Sequence, residues 1–241
     1  MRKLDNTEVK KYILNILCEF AAFCDQNGLR YYLSGGTLLG AVRHKGFIPW
    51  DDDVDLLMPR PDFDKLHDLL RKGNIRPYYK LISLQMGNSF WPFAKIIDTR
   101  TYVKNEYSNV DQHLWIDIFP MDGLPDDKEE SDILLSKAEP LKKWINRCSA
   151  TIGKGKGFVR SIVKIPMILF LRMYTPERFG RKLDKLAHQY DFDKQEYIGG
   201  VAWSLGPNER MKKKEYLPYN DVEFCGKKFH APACWKFYLT Q

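Results

Sequence analysis

The sequence predicts an α+β fold on three observations. Short apolar runs of strand length mix with helix-periodic segments over residues 1–125, the texture turns helical after Pro125, and two short apolar runs around Gly226 read as a hairpin. A chain of 241 residues with 44% apolar composition can bury one large core or two small ones. We read residues 1–125 as the chemical core and 126–241 as a helical region with a C-terminal hairpin, packed on that core as one unit.

The elements follow in order. Val9, Tyr12, Ile13, Ile16, Leu17, Phe20 and Phe23 recur at helical spacing behind Asn6 or Thr7 as cap, and Gly28 ends the run. Leu29 to Leu33 reads as a strand, Thr37 to His44 as a short helix opened by glycines, and Val54 to Met58 as a second strand. Pro61 starts a helix that runs through Leu70. Tyr79 to Leu84, Ala94 to Ile97, Thr101 to Lys104 and Trp115 to Phe119 have strand length and composition. Helices are expected over Lys128 to Ala150, Phe158 to Tyr174 and Pro176 to Tyr190. The Gly153 to Gly157 stretch, GKGKG, lacks the GxxxxGK[ST] pattern and reads as a linker. Short strands return at Tyr197 to Ala202, Val222 to Cys225 and Lys228 to His230, and Pro232 opens a last helix.

Composition removes several classes. Five scattered cysteines without a CxxC pair point to neither a disulfide framework nor a zinc site, and a reducing, cytoplasmic compartment is expected. The start carries no signal-peptide pattern. The most apolar window, Ile162 to Tyr174, is broken by Lys164, Pro166 and Arg172 and falls short of the ~20 residues a spanning helix needs. The net charge of +7 is crowded between Lys142 and Lys182 without a nucleic-acid signature, so no nucleic-acid partner is expected. The five histidines form no HxxxH or HExxH group, and no GxSxG elbow is present.

The informative stretch is Tyr31 to Pro59, where a Gly-Gly-Thr turn and an acidic run end two separate apolar segments. A glycine turn before a helix lets backbone N–H groups approach an anion, so Gly35, Gly36 and Thr37 are candidates for donor phosphates. Asp53 and Asp55, one apolar residue apart, would share one face of a strand. Two hard carboxylates suit Mg²⁺, which binds one or two of them and takes phosphate and water for the rest. Asp117, a charge among Trp115, Ile116, Ile118 and Phe119, is costly there unless paired, protonated or on a metal, and is the candidate third acid. Arg43, and Lys95 within FAKIID, are the cations best placed to neutralise a diphosphate. Asp51, Asp53 and Asp55 mimic the start of an EF-hand loop, but Leu56 stands where that loop needs glycine and Asp62 where it needs glutamate.

The string LSGGTLLGAVRHKGFIPWDDDVDLLMPRPDFDKL, with FAKIIDTRTYV and WIDIFPMDGLP after it, resembles the signature of the LicD family of phosphotransferases, which includes phosphorylcholine transferases and fukutin-related proteins. The likeness extends more faintly into YIGGVAW and VEFCGKKFHAP. It implies a nucleotidyltransferase-like mixed sheet with Gly35 and Gly36 at the turn, Asp53 and Asp55 as the metal pair, and Asp117 as ligand or proton acceptor. It also implies transfer of a phosphoalcohol, phosphocholine first among them, from a CDP-linked donor to a glycan hydroxyl, with release of CMP and help from Mg²⁺ or Mn²⁺. Trp50, Tyr102, Trp115 and Trp203 are aromatics able to cage a choline ammonium. Family members often continue past the last helix, so the resemblance implies that part of an acceptor wall lies outside a chain ending at Gln241. A lipid-linked acceptor at the inner face of the membrane would meet the apolar and basic segment Phe158 to Tyr174, which also reads as a core helix.

Three other readings stay open from the sequence. The same acidic pair serves transfer of NMP from an NTP. An Asp-x-Asp glycosyltransferase usually places its motif later, after a nucleotide-binding βαβ unit, and lacks the glycine turn. A glycan-binding protein without catalysis would keep its binding in Asp53→Asn.

Overall fold

The computed structural model describes residues 2–103, 113–149, 175–203 and 210–240. Its helices are α1 (Asn6–Asn27), α2 (Gly35–His44), α3 (Arg60–Lys72), α4 (Lys128–Ser149), α5 (Pro176–Ala187) and the single turns α6 (Lys213–Tyr216) and α7 (Trp235–Tyr238). The strands are β1 (Tyr32–Leu33), β2 (Asp55–Pro59), β3 (Tyr79–Ile82), β4 (Ala94–Asp98), β5 (Leu114–Leu124), β6 (Tyr197–Gly199), β7 (Met211–Lys212), β8 (Tyr219–Phe224) and β9 (Lys227–Pro232). The fold is α+β, as the sequence predicts. The expected linker at Gly153 to Gly157 and helix at Phe158 to Tyr174 lie outside the described residues.

One mixed sheet runs in the order β1-β2-β5-β4-β3, with β6 on β5 and β7 on β6. The central strand β5 pairs parallel with β2 and antiparallel with β4, and its last three residues, Asp122 to Leu124, pair with β6. The sheet therefore continues past residue 125, and the strand expected at Tyr197 to Ala202 pairs with β5 as the shorter β6. Alternation along the strands sorts side chains cleanly. Leu56 and Met58, Ala94 and Ile96, and Leu114, Ile116 and Ile118 enter the core against Ile16, Leu17 and Phe20 of α1 and Phe63 and Leu66 of α3. The alternate residues, Asp55, Lys95 and Asp117 among them, belong to the opposite face.

The chain ends of α1 explain its length. Asp5, one residue ahead of the expected cap, accepts from the Glu8 backbone while the Glu8 side chain returns to Asp5, and Gly28 closes the helix at φ 61°. Such a capping box is worth about 1 kcal/mol. Thr101 does not begin a strand: its hydroxyl and N–H both donate to the Asp98 carbonyl, at 2.7 and 3.1 Å, so a turn ends β4, and Lys104 lies outside the described residues. The β8–β9 hairpin turns through Cys225 and Gly226, both at positive φ, and lays Phe224, Phe229 and Ala231 onto the first core. Among the described residues no helix is long and apolar enough to cross a membrane.

A second core joins α4 to α5 through Leu134, Leu135, Ala138, Ile145, Leu183 and Ala187. Gly180 is what lets α5 lie so close to the loop between β3 and β4, since a Cβ there would stand 2.0 Å from the Phe90 carbonyl oxygen. Gly180→Ala should therefore push α5 outward and cost about 1–3 kcal/mol. A lower urea midpoint is the expected result, and an unchanged midpoint would contradict the close approach.

Candidate active site

Three neighbouring strands bring a row of charges into register. Asp55 of β2 stands opposite Asp117 of β5, and Asp117 stands opposite Lys95 of β4. Lys95 Nζ lies 3.2 Å from Asp117 Oδ1, and the Trp115 indole N–H donates to Asp117 Oδ2 at 2.7 Å. Trp115 reaches Asp117 because residues two apart on a strand share a face. Lys95 also sits over the Trp115 ring, 4.2 Å from its centroid. The buried carboxylate is thus held by a cation on one oxygen and a neutral donor on the other, which answers how an apolar strand tolerates it.

The glycine turn is locked against the start of β2. The Ser34 N–H donates to the Asp55 carbonyl at 3.0 Å, and the Asp55 N–H donates to the Thr37 hydroxyl at 2.9 Å. Gly35 adopts φ +49°, a left-handed conformation that favours glycine, and a Cβ on it would meet Asp55 Oδ2 at 3.4 Å. A Cβ on Gly36 would come 2.7 Å from Asp51 Oδ2. The helix begins at Gly35 itself, two residues before the expected start, so its first turn lies beside Asp51 and Asp55. From the far end of the chain, the Tyr238 hydroxyl lies 2.9 Å from Ser34 Oγ and accepts from the Gly35 N–H at 3.4 Å.

Burial and the crowding of like charges act together on the pair. Asp55 is pushed up to about 7, by burial first and then by Asp53, Asp117 and Asp51, with Lys95 pulling the other way. Asp53, although open to solvent on one side, is pushed up to about 6 by partial desolvation, a hydrogen bond with Asp51, and the neighbouring carboxylates. Carboxylates that resist ionisation together are a place where a cation binds favourably. The donor set is all oxygen, which fits Mg²⁺ or Mn²⁺ rather than zinc. Among the described residues no three His, Cys, Asp or Glu side chains are grouped so as to hold a metal ion between them. That is compatible with an ion held by one or two carboxylates and completed by phosphate.

Not every expected residue joins this group. Strand β2 starts at Asp55, so Asp53 lies in the segment just before it rather than sharing its strand. Arg43 is carried away on the last turn of α2, eight residues from Gly35 and so roughly 12 Å along the helix axis. Asp51 is beside Gly36, while Asp52 faces solvent. Trp50 and Tyr102 are 85% and 58% exposed, whereas Trp115 lies in the charged row and Trp203 stacks on Phe119. Sequence reasoning missed two hydrogen bonds, that of Trp115 to Asp117 and that of Tyr238 to Ser34. Trp115 was legible as the i−2 neighbour of Asp117, but Tyr238 is about two hundred positions from its partner Ser34 and left no local trace.

Lys95→Met tests the row directly. It keeps the length of the stem but removes the charge that pairs with Asp117, and we expect kcat to fall on the order of 10²-fold. A kcat within twofold of wild type would show that Lys95 serves only the packing of β4.

The comparisons with known proteins come down on one family. Residues 28–139 match the model of the LicD/FKTN/FKRP nucleotidyltransferase domain. The lipopolysaccharide cholinephosphotransferase LicD of Haemophilus influenzae is 30% identical over the whole of this chain and 91% of its own length. The ribitol 5-phosphate transferases FKRP of human and mouse are each 47% identical over 49 residues, covering 20% of this chain and 8% of theirs. With a relative matched along nearly its full length and the glycine turn, acidic pair and Asp117 strand all inside the matched domain, this chain belongs to the LicD family.

Proposed function

We propose that this protein transfers a phosphoalcohol, phosphocholine first among them, from a CDP-linked donor to a hydroxyl of a cell-surface glycan. The observation that carries the reading is the Asp55–Asp117–Lys95 row set against the Gly35–Gly36 turn. The choice of phosphocholine follows the name of the Haemophilus relative. Gly36 and Thr37 offer first-turn N–H groups to the donor phosphates, Gly35 shapes the turn that presents them, and Lys95 adds positive charge beside them. Asp53 and Asp55 would hold Mg²⁺ or Mn²⁺, which when bound neutralises diphosphate charge.

In the transfer, the acceptor hydroxyl oxygen bonds to the phosphorus that carries the alcohol. The bridging P–O bond breaks, and its electron pair leaves on CMP. Asp117, oriented by Lys95 and Trp115, takes the hydroxyl proton and passes it to solvent. Positioning and electrostatics lower the barrier, with no covalent enzyme intermediate. We place the reaction in the cytoplasm, on a lipid-linked glycan presented at the inner face of the membrane.

Incubation with CDP-choline, CDP-ribitol, CDP-glycerol and NTPs, each with Mg²⁺ and a glycan acceptor, tests the reading. CMP release with a phosphoalcohol on the glycan is expected. Pyrophosphate release from an NTP, with NMP on the acceptor, would replace it with nucleotidyl transfer.

A further inference from the structure

One pleat along from the charged row, the same sheet face turns aromatic. Phe119 follows Asp117 by two residues, about 6.8 Å along the strand, and Phe93 precedes Lys95 by two. Their ring centroids are 5.0 Å apart. Trp203 stacks on Phe119 with centroids 4.8 Å apart and planes 11° from parallel, and meets Phe93 edge-on at 5.2 Å. Trp91 braces the group at 5.4 Å from Phe93 and 6.4 Å from Trp203. Phe93 and Phe119 are 6% and 4% exposed, yet Trp203 keeps 41% of its surface open. Trp203 is thus anchored by Phe119, Phe93 and Trp91 and still presents a large part of its indole to solvent.

We propose that Trp203, backed by Phe119 and Phe93, is the specificity-determining surface that receives the quaternary ammonium of a choline-bearing donor. The inference rests on the phosphoalcohol reading and adds which alcohol is chosen and by what. A trialkylammonium has no N–H to donate, so hydrogen-bonding groups cannot read it, and an aromatic face is the surface that distinguishes it. A polyol such as ribitol needs hydrogen-bond partners, and the phenyl rings of Phe93 and Phe119 supply none. The spacing suits the division of labour: with the donor phosphates at the Asp55–Asp117–Lys95 row, the alcohol end extends one pleat onto the aromatic group. Cation contact with rings is already present on this face, since Lys95 Nζ lies over Trp115 and 5.9 Å from the Phe93 centroid.

The test is calorimetric binding, with Mg²⁺, of CDP-choline and of its uncharged isostere CDP-3,3-dimethylbutanol, in which carbon replaces nitrogen. Wild type should prefer the charged donor by about tenfold, the worth of a well-desolvated cation–π contact. Trp203→Leu should abolish that preference, with CDP itself as the check on folding, and Trp203→Phe, which keeps a ring face, should retain part of it if the leucine variant does not fold. Equal preference for the charged donor in wild type and both variants would overturn the inference alone, as would tighter binding of CDP-ribitol than CDP-choline. Absence of any CDP-alcohol binding by wild type would overturn the parent reading and this one together.

Discussion

Asp55→Asn is expected to abolish transfer, lowering kcat/KM by about 10³-fold or more, and yet to make the metal-free protein more stable. Both effects come from one cause. Burial first, and then repulsion from Asp53, Asp117 and Asp51, push Asp55 up to about 7. An unfolded aspartate titrates near ~3.9, so between that pH and 7 the folded chain binds the extra proton. Stability from this group is therefore present at low pH and is lost as pH rises through 7. Asparagine removes the charge and the penalty, so at pH 8 the variant should gain on the order of 1–2 kcal/mol, a rise of roughly 3–6 °C in Tm. At pH 4 the two proteins should melt alike. A variant that loses activity by losing stability at pH 8 would contradict this account, because Asp55 would then be a structural carboxylate.

Arg60→Ala should give the largest loss of stability, about 3–5 kcal/mol. Arg60 opens α3 and is only 6% exposed, and its Nε donates to Asp122 Oδ1 at 2.7 Å while Nη2 lies 2.6 Å from the same oxygen. Asp122 has no exposure at all and sits where β5 passes from pairing with β2 to pairing with β6. Asp184 of α5 lies 3.8 Å from the same guanidinium, so the ion group ties the two halves of the chain together. Burial already raises Asp122 to about 6 against the pull of Arg60, and removing Arg60 leaves only the upward push. The sign is the same as for Asp55: a raised carboxylate stabilises at low pH and loses that contribution as pH rises through its folded value. Arg60→Ala should thus be less destabilised at pH 5 than at pH 7, by urea unfolding. Equal losses at both values would show that packing, not the uncompensated charge, sets the cost.

How much of this was legible in the sequence depends on whether the signal was local. Asp117 stood out because four apolar neighbours flank it, and Lys95 for the same reason, and the structure sets the two opposite one another. Gly35 and Gly36 were legible as a glycine turn, although their reasons are sharper than expected: Gly35 holds a positive φ, and an Asp51 oxygen stands 2.7 Å from where a Cβ on Gly36 would lie. Arg43 was chosen for nearness in sequence to the acidic run, which says nothing of distance once a helix intervenes, and α2 places it on its last turn. The division at residue 125 rested on a change of texture, which cannot show that a strand as short as Tyr197–Gly199 returns to pair with β5. The hydroxyl of Tyr238, the Arg60–Asp122 pair and the stacking of Trp203 on Phe119 are contacts between distant segments, and such contacts have no period or motif to reveal them.

The central claim is that the acidic pair binds a CDP-alcohol through a divalent cation, and donor binding measures it without knowledge of the acceptor. Calorimetric titration of CDP-choline into wild type and Asp53→Asn, with and without Mg²⁺, should give saturable binding only for wild type with the metal. Equal affinity in all four conditions would contradict the claim, since the donor would then be held by a surface in which neither the cation nor Asp53 takes part.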